Sequence, residues 1–126
     1  MRARLAAVTL AAVFVGCVHR APGPGYEQEG LAGYYGPGFE GKRTASGATF
    51  HAEGMTCAHR TLPFGTVVEV ERTDAPRRVR VTVTDRGPYV SRRIVDLSVR
   101  AARELGIMRM GVAPVRLRVI RSAPRY

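Results

Sequence analysis

Apolar and polar residues alternate along most of this chain, in runs too short for anything but strands. In GTVVEVER (65–72), Val68 and Val70 alternate with Glu69 and Glu71. In the run 77–85, Val79, Val81 and Val83 occupy every second position and Asp85 is next on that row. In VRLRVI (115–120), Val115, Leu117 and Val119 alternate with Arg116 and Arg118. A period of two places one set of side chains inward and the other in water, so each run predicts a half-buried strand. GLAGYYG (30–36) predicts a first strand that ends in the turn Gly36-Pro37-Gly38. The period changes once, in DLSVRAARELG (96–106): Ala101, Ala102 and Leu105 make a helical stripe, Asp96 or Ser98 can cap its start, and Gly106 can end it. Short strands, turn-rich joints and one small helix predict a compact β-barrel.

The N-terminus follows a different pattern. MRAR is a basic head, Leu5–Val15 is apolar, and Gly16-Cys17 closes the segment. Eleven residues cannot span a bilayer as a helix, which needs about 20. The pattern is that of an export signal over residues 1–16. A small residue before Cys17 resembles the bacterial lipobox, with Phe14 where Leu is usual, and makes Cys17 the expected lipid attachment site. Secretion with a later cleavage site, or an uncleaved short anchor, is the other reading. Residues 17–29, rich in Pro and Gly around Pro22-Gly23-Pro24-Gly25, read as an anchored linker. Its reach of at most about 40 Å would keep the domain near its membrane. Residues 30–121 then form the domain and 122–126 a tail.

The formal charge is +10, and nineteen of the twenty cations are Arg, with Lys42 the one lysine. Losing residues 1–16 removes Arg2 and Arg4 and no acid, which leaves +8. Such a balance suggests an anionic partner. Export separates the chain from chromosomal nucleic acid, so wall polymers and lipid head groups are the expected neighbours, and no nucleic acid. With Cys17 lipidated, Cys57 is unpaired; a Cys17–Cys57 disulfide is the alternative. His19, His51 and His59 form no ligand-spaced cluster with the cysteines, so neither a metal nor another cofactor is expected.

Four stretches in order, GLAGYYGPGFEGKRTASG, TCAHRTLPFGTVVEV, VTDRGPYVSRRIVDLSVRAARELG and GVAPVRLRVI, resemble the RlpA family of rare-lipoprotein-A-like proteins. The resemblance covers residues 30–121. It implies a mainly β fold, a six-stranded double-psi β-barrel with one or two short helices. It also implies an endolytic peptidoglycan lytic transglycosylase, which cuts between N-acetylmuramic acid and N-acetylglucosamine in peptide-poor glycan strands and leaves 1,6-anhydro ends. The partners implied are those glycan strands and, through Cys17, a membrane. Val18 in place of Asp after the lipid cysteine leans toward the outer membrane, with the domain facing the periplasm. No room remains after residue 121 for a SPOR domain, so septal recruitment by that route is not expected.

Carried over residue by residue, the family's DRGP acid is Asp85 and the histidine of its AAH-TLP motif is His59. Where active members have Glu after the T-x-x-G turn, this chain has Ala48, and Glu53 lies five residues further on. Glycosidic cleavage needs a proton donor for the leaving oxygen, and a lytic transglycosylase manages with one acid because the sugar's C6 hydroxyl is the nucleophile. Loss of hydration favours a protonated carboxyl, and the end of a valine row is such a place. Asp85 could instead pin the Gly87-Pro88 turn. His59 is expected either to serve catalysis, by a hydrogen bond to the sugar or to Asp85 that orients the acid, or to be a buried structural histidine. Asp96 is a possible second acid, or a helix N-cap. Tyr35, Arg86 and Arg92 are expected to contact substrate, Arg86 by pointing out of the barrel and Arg92, with Arg93, by meeting lactyl carboxylates. The rival function is a non-catalytic, expansin-like wall-binding module.

Overall fold

The computed structural model describes residues 3–4, 6–13, 16 and 20–125. Cys17, the expected lipid site, lies outside the described residues. Six strands form a closed barrel: β1 (Glu27–Tyr34), β2 (Thr56–Ala58), β3 (Val67–Arg72), β4 (Arg78–Asp85), β5 (Arg93–Leu97) and β6 (Ala113–Arg121), with one helix, α1 (Val99–Leu105), between β5 and β6. The order around the barrel is β1-β5-β2-β4-β3-β6, and β6 closes it against β1. The pairs β1–β5 and β2–β4 are parallel and the others antiparallel.

The alternation read from the sequence is the inside–outside alternation of this barrel. Val68, Val70, Val79, Val81, Val83, Val115, Leu117 and Val119 are buried, while Arg78, Arg80, Arg116 and Arg118 are exposed. Burial of a valine or leucine contributes about 1.5–3 kcal/mol, so these rows carry most of the fold's stabilisation. Outside, the polar rows pair in sign. Across β1-β6-β3-β4 the register sets Glu27 and Glu29 against Arg118 and Arg116, and sets these against Glu69 and Glu71, which face Arg80 and Arg78. Glu69 is itself buried, covered by Arg118 at 3.1 Å and Arg80 at 3.5 Å. Opposite charges directly across neighbouring strands fix the register that the valines require.

Two boundaries differ from expectation. Strand β1 starts at Glu27, inside the expected linker, because Glu27 to Ala32 pair along β6. The helix starts at Val99: Asp96 is not its cap, since β5 runs through Asp96 to Leu97. Ser98 caps it, its hydroxyl accepting from the Ala101 N–H and donating to the Gly54 carbonyl. Gly106 ends the helix in the left-handed conformation as expected. Among the described residues no helix is long and apolar enough to cross a membrane.

Candidate active site

Strand β4 leaves the barrel at Asp85, where its apolar row ends and its carboxyl stands half-buried at the rim. Each carboxyl oxygen has partners, and they come from separate parts of the chain. Oδ1 accepts the backbone N–H of Ala45 and of Arg86, both at 2.9 Å. Oδ2 accepts the Tyr35 hydroxyl at 2.6 Å. Charge-assisted bonds of this kind are short and strong, and together they fix both position and rotamer. Ala45 belongs to a hairpin over 41–50, closed by Thr44 N–H to the Ala48 carbonyl and Phe50 N–H to the Lys42 carbonyl. A bond from the Ser46 N–H to the Thr84 carbonyl lays the hairpin tip on β4. Tyr35 follows β1, its ring wedged against Phe50 (centroids 4.6 Å apart) and edge-on to Phe39 (5.3 Å).

Beneath the acid, two loops are tied together by arginines. Arg86 Nη1 donates to the carbonyls of Leu62 (2.8 Å) and His59 (3.3 Å), and its plane stacks 3.9 Å from the Phe64 ring centroid. Arg60 answers from the other loop, donating to the carbonyls of Pro88 (2.6 Å), Arg93 (2.9 Å) and Val90 (3.0 Å). The His59 N–H binds the Asp85 carbonyl at 3.1 Å. Gly87, at φ 113°, makes the bend after the acid in a conformation that favours glycine.

His59 is therefore part of the scaffold, not a support for the carboxyl. Its Nδ1 accepts two backbone N–H groups, from Thr61 and Leu62 at 3.1 Å, so Nε2 carries the proton it shares with Gln28 Oε1 at 2.9 Å. Both ring nitrogens are engaged away from Asp85. Burial, and then the nearby charges of Arg86 and Arg60, hold its pKa down at about 4. These contacts are those expected of the buried structural histidine. Arg86 is corrected as well: it does not point freely into solvent for substrate but struts the 59–64 loop.

Asp96 joins the site. It pairs with Ala58 of β2 from one side while Asp85 pairs with Ala58 from the other. Strands lie about 4.8 Å apart, so the two α-carbons are about 10 Å apart. Burial raises the Asp96 pKa against the pull of Arg93, whose Nη2 lies 3.2 Å from Oδ2. Asp96 Oδ1 is buried without a partner and lies against Gly33, where a Cβ would come within 2.8 Å of it. Burial, then the hydrogen bond and charge of Asp85, then the charge of Asp96, push the Tyr35 phenol far up, so it stays a neutral donor.

Other expected contacts fall elsewhere. Arg93, not Arg92, reaches Asp96; Arg92 is exposed at φ 70° and lines a separate hollow of about 470 Å³ with Glu29, Thr73 and Pro114. Tyr34 packs against the core, its hydroxyl on the Met108 carbonyl. Glu53 pairs with Arg103 of α1 at 2.7 Å, and Ala48 is exposed on the 41–50 hairpin. Cys57 is a buried free thiol whose pKa burial, and then the charge of Asp96, push up. Among the described residues no three His, Cys, Asp or Glu side chains gather to hold a metal ion.

A family model described as lytic transglycolase matches residues 27–117, from the first strand to the last. The chain belongs to the lytic transglycolase family. Two relatives are named endolytic peptidoglycan transglycosylase RlpA. The one from Campylobacter jejuni is 47% identical over 96 residues, which is 76% of this chain and 35% of that protein. The one from Helicobacter pylori is 44% identical over 96 residues, 76% of this chain and 31% of that protein. The chain thus spans about a third of the length of these relatives. Among solved structures it is similar to the Streptomyces papain inhibitor (TM-score 0.64, 27% identity, 81% of this chain and all of that one). It is also similar to the expansin of Clavibacter michiganensis (TM-score 0.61, 24% identity, 79% and 53%), a likeness of fold alone. The lytic transglycolase domain is a double-psi β-barrel.

The neutral His59 makes the domain's stability depend on pH. The unfolded chain takes up a proton near pH 6.5 and the folded one only near 4, so stability falls as pH drops through that window and levels off below it. His59→Gln should remove about 1–3 kcal/mol of the pH 7 to pH 4.5 difference in urea unfolding. An unchanged difference would contradict the assignment.

Proposed function

We propose that the domain is an endolytic peptidoglycan lytic transglycosylase with Asp85 as its acid and base. The observation that carries the reading is the Asp85 carboxyl itself: half-buried at the end of β4 and held by three donors. The hollow beside Arg92 and another of about 590 Å³ between residues 20–24, 63–66 and 122–125 both lie away from it. The family membership and the names of the relatives point the same way.

In the reaction Asp85 gives its proton to the glycosidic oxygen as the bond from the muramyl C1 breaks. The muramyl C6 hydroxyl closes on C1 and returns its proton to Asp85, so the acid ends as it began and no water is consumed. Tyr35 is a positioning residue. Its hydroxyl donates to the ionised carboxyl and can rotate to accept from the protonated one. Asp96, with its raised proton affinity and Arg93 beside it, is the second carboxyl of the site. The non-catalytic wall-binding reading has one observation in its favour: Ala48 puts a methyl group where active members carry Glu.

Asp85→Asn should slow release of soluble fragments from peptide-free glycan by about 100-fold or more, with the melting temperature nearly unchanged. Ala48→Glu, placed on the exposed hairpin above the acid, should raise the rate. If Asp85→Asn keeps its rate, Asp85 is not the acid; if neither the native chain nor Ala48→Glu releases fragments, the wall-binding module is the correct reading.

We also propose that the chain is lipid-anchored through Cys17 in the cell envelope, facing the periplasm and favouring the outer membrane. The apolar Leu5–Val15 segment and Gly16 before Cys17 support this. Cys17→Ser should move the protein from the membrane to the soluble fraction; unchanged membrane association would contradict it.

A further inference from the structure

The linker expected over residues 17–29 is not free along its length. Gly25 N–H donates to the Val119 carbonyl and Val119 N–H to the Tyr26 carbonyl, both at 2.9 Å, so the segment joins β6 before β1 begins. Upstream, residues 20–24 run beside the tail 122–125, and a Cβ on Gly23 would lie 3.9 Å from Ser122 Oγ. The tail rests on Gly65, whose φ of 91° favours glycine and where a Cβ would come within 3.2 Å of Pro124 Cδ. Linker, tail and the loop 63–66 together line the hollow of about 590 Å³. Pro22, Pro24, Pro63 and Pro124, each with its φ fixed by the ring, stiffen its wall, and Arg20 and Arg125 are exposed at it. Neither arginine forms an ion pair among the described residues. Arg43 and Arg92 lack one too. What sets Arg20 and Arg125 apart is that they line one hollow together and no acid lines it, whereas Arg92 shares its hollow with Glu29.

This packing shortens the tether. From Cys17 to Arg20 there are three residue steps, which reach at most about 11 Å, not the roughly 40 Å of a free linker. The head-group layer of a bilayer is itself about 6 Å deep on each side. A lipid on Cys17 therefore brings Arg20, and Arg125 at the same hollow, to the level of the lipid phosphates. We infer that this hollow is a membrane-facing surface, where Arg20 and Arg125 bind the phosphates of anionic lipids and fix how the domain stands on its bilayer. This rests on the Cys17 anchor proposed above and adds the face that meets the lipid. Lipid phosphate, not a soluble phosphate ester, is the occupant, because so short a tether presents the hollow to the bilayer. The face is also coupled to the active site. Gly65 N–H donates to the Val83 carbonyl at 2.8 Å, two residues before the acid, and the Leu62 carbonyl nearby takes the Arg86 clamp. Contact with the bilayer thus sets the height at which Asp85 meets its substrate.

Chemical footprinting of the full chain tests the face residue by residue. The chain is reconstituted in vesicles of phosphatidylcholine, with or without phosphatidylglycerol. The reaction of each arginine with phenylglyoxal is then followed by mass spectrometry. Phosphatidylglycerol should slow Arg20 and Arg125 about fivefold, the scale of one arginine at an anionic surface. Arg78 and Arg116, at the ends of β4 and β6 far from the hollow, should react equally fast in both vesicles. Glycerol phosphate at matched concentration, added to the chain in detergent, should protect none of the four. Equal rates at Arg20 and Arg125 in the two vesicles, slowing shared by Arg78 and Arg116, or protection by glycerol phosphate alone would overturn the inference. Flotation of the same vesicles reads the anchor separately. A chain that floats with phosphatidylcholine alone, yet keeps Arg20 and Arg125 reactive with phosphatidylglycerol present, retains the anchor and loses the face. A chain that floats only with phosphatidylglycerol, with both arginines shielded, lacks the anchor and keeps the face.

Discussion

A carboxylate at the end of a buried valine row is half removed from water, and it stays ordered only if the fold supplies hydrogen-bond donors in place of solvent. Asp85 obtains them from the 41–50 hairpin, from Tyr35 at the end of β1, and from its own turn. Those segments are far apart along the chain, and the barrel closure of β1 against β5 and β6 brings them to one rim. The hairpin that covers the acid, the phenol that touches it and the loop clamp below it all follow from that requirement. The same hairpin presents Ala48 and Lys42, so changes there act on a surface already registered to the acid.

The arginine surplus has a different meaning from the one composition suggests. Arg60, Arg72, Arg77 and Arg86 donate to backbone carbonyls, two of them at the C-terminus of α1, where cations are favoured. Arg78, Arg80, Arg116 and Arg118 face glutamates across the strands. Much of the positive charge therefore ties loops and strands that a domain without a disulfide among its described residues must hold by other means. The net charge of +10 still attracts anions at long range.

Periodicity read in the sequence places β3, β4 and β6 within a few residues, because a half-buried strand repeats every second position whatever surrounds it. Strand β2 has three residues, too few to show a period. Strand β5 ends in Asp96-Leu97, directly before the cap Ser98, and that run reads equally well as the start of the helix that follows. At the site, Asp85 is legible because an acid interrupts an apolar row. The roles of His59 and Arg86 are not, since burial and loop contacts decide which nitrogens are engaged. The bond between Tyr35 and Asp85 joins residues 50 apart and leaves no mark in local pattern.

The central claim is that one carboxyl, Asp85, cleaves glycan by moving a single proton out and back, with the sugar's own hydroxyl in place of water. The most direct test is to digest peptide-free glycan strands in water enriched in heavy oxygen and to weigh the new ends. The account predicts muramyl ends one water lighter than reducing ends and free of label. Labelled reducing ends would contradict it, making the reaction a hydrolysis that needs two carboxyls and giving Asp96 an equal share in the chemistry.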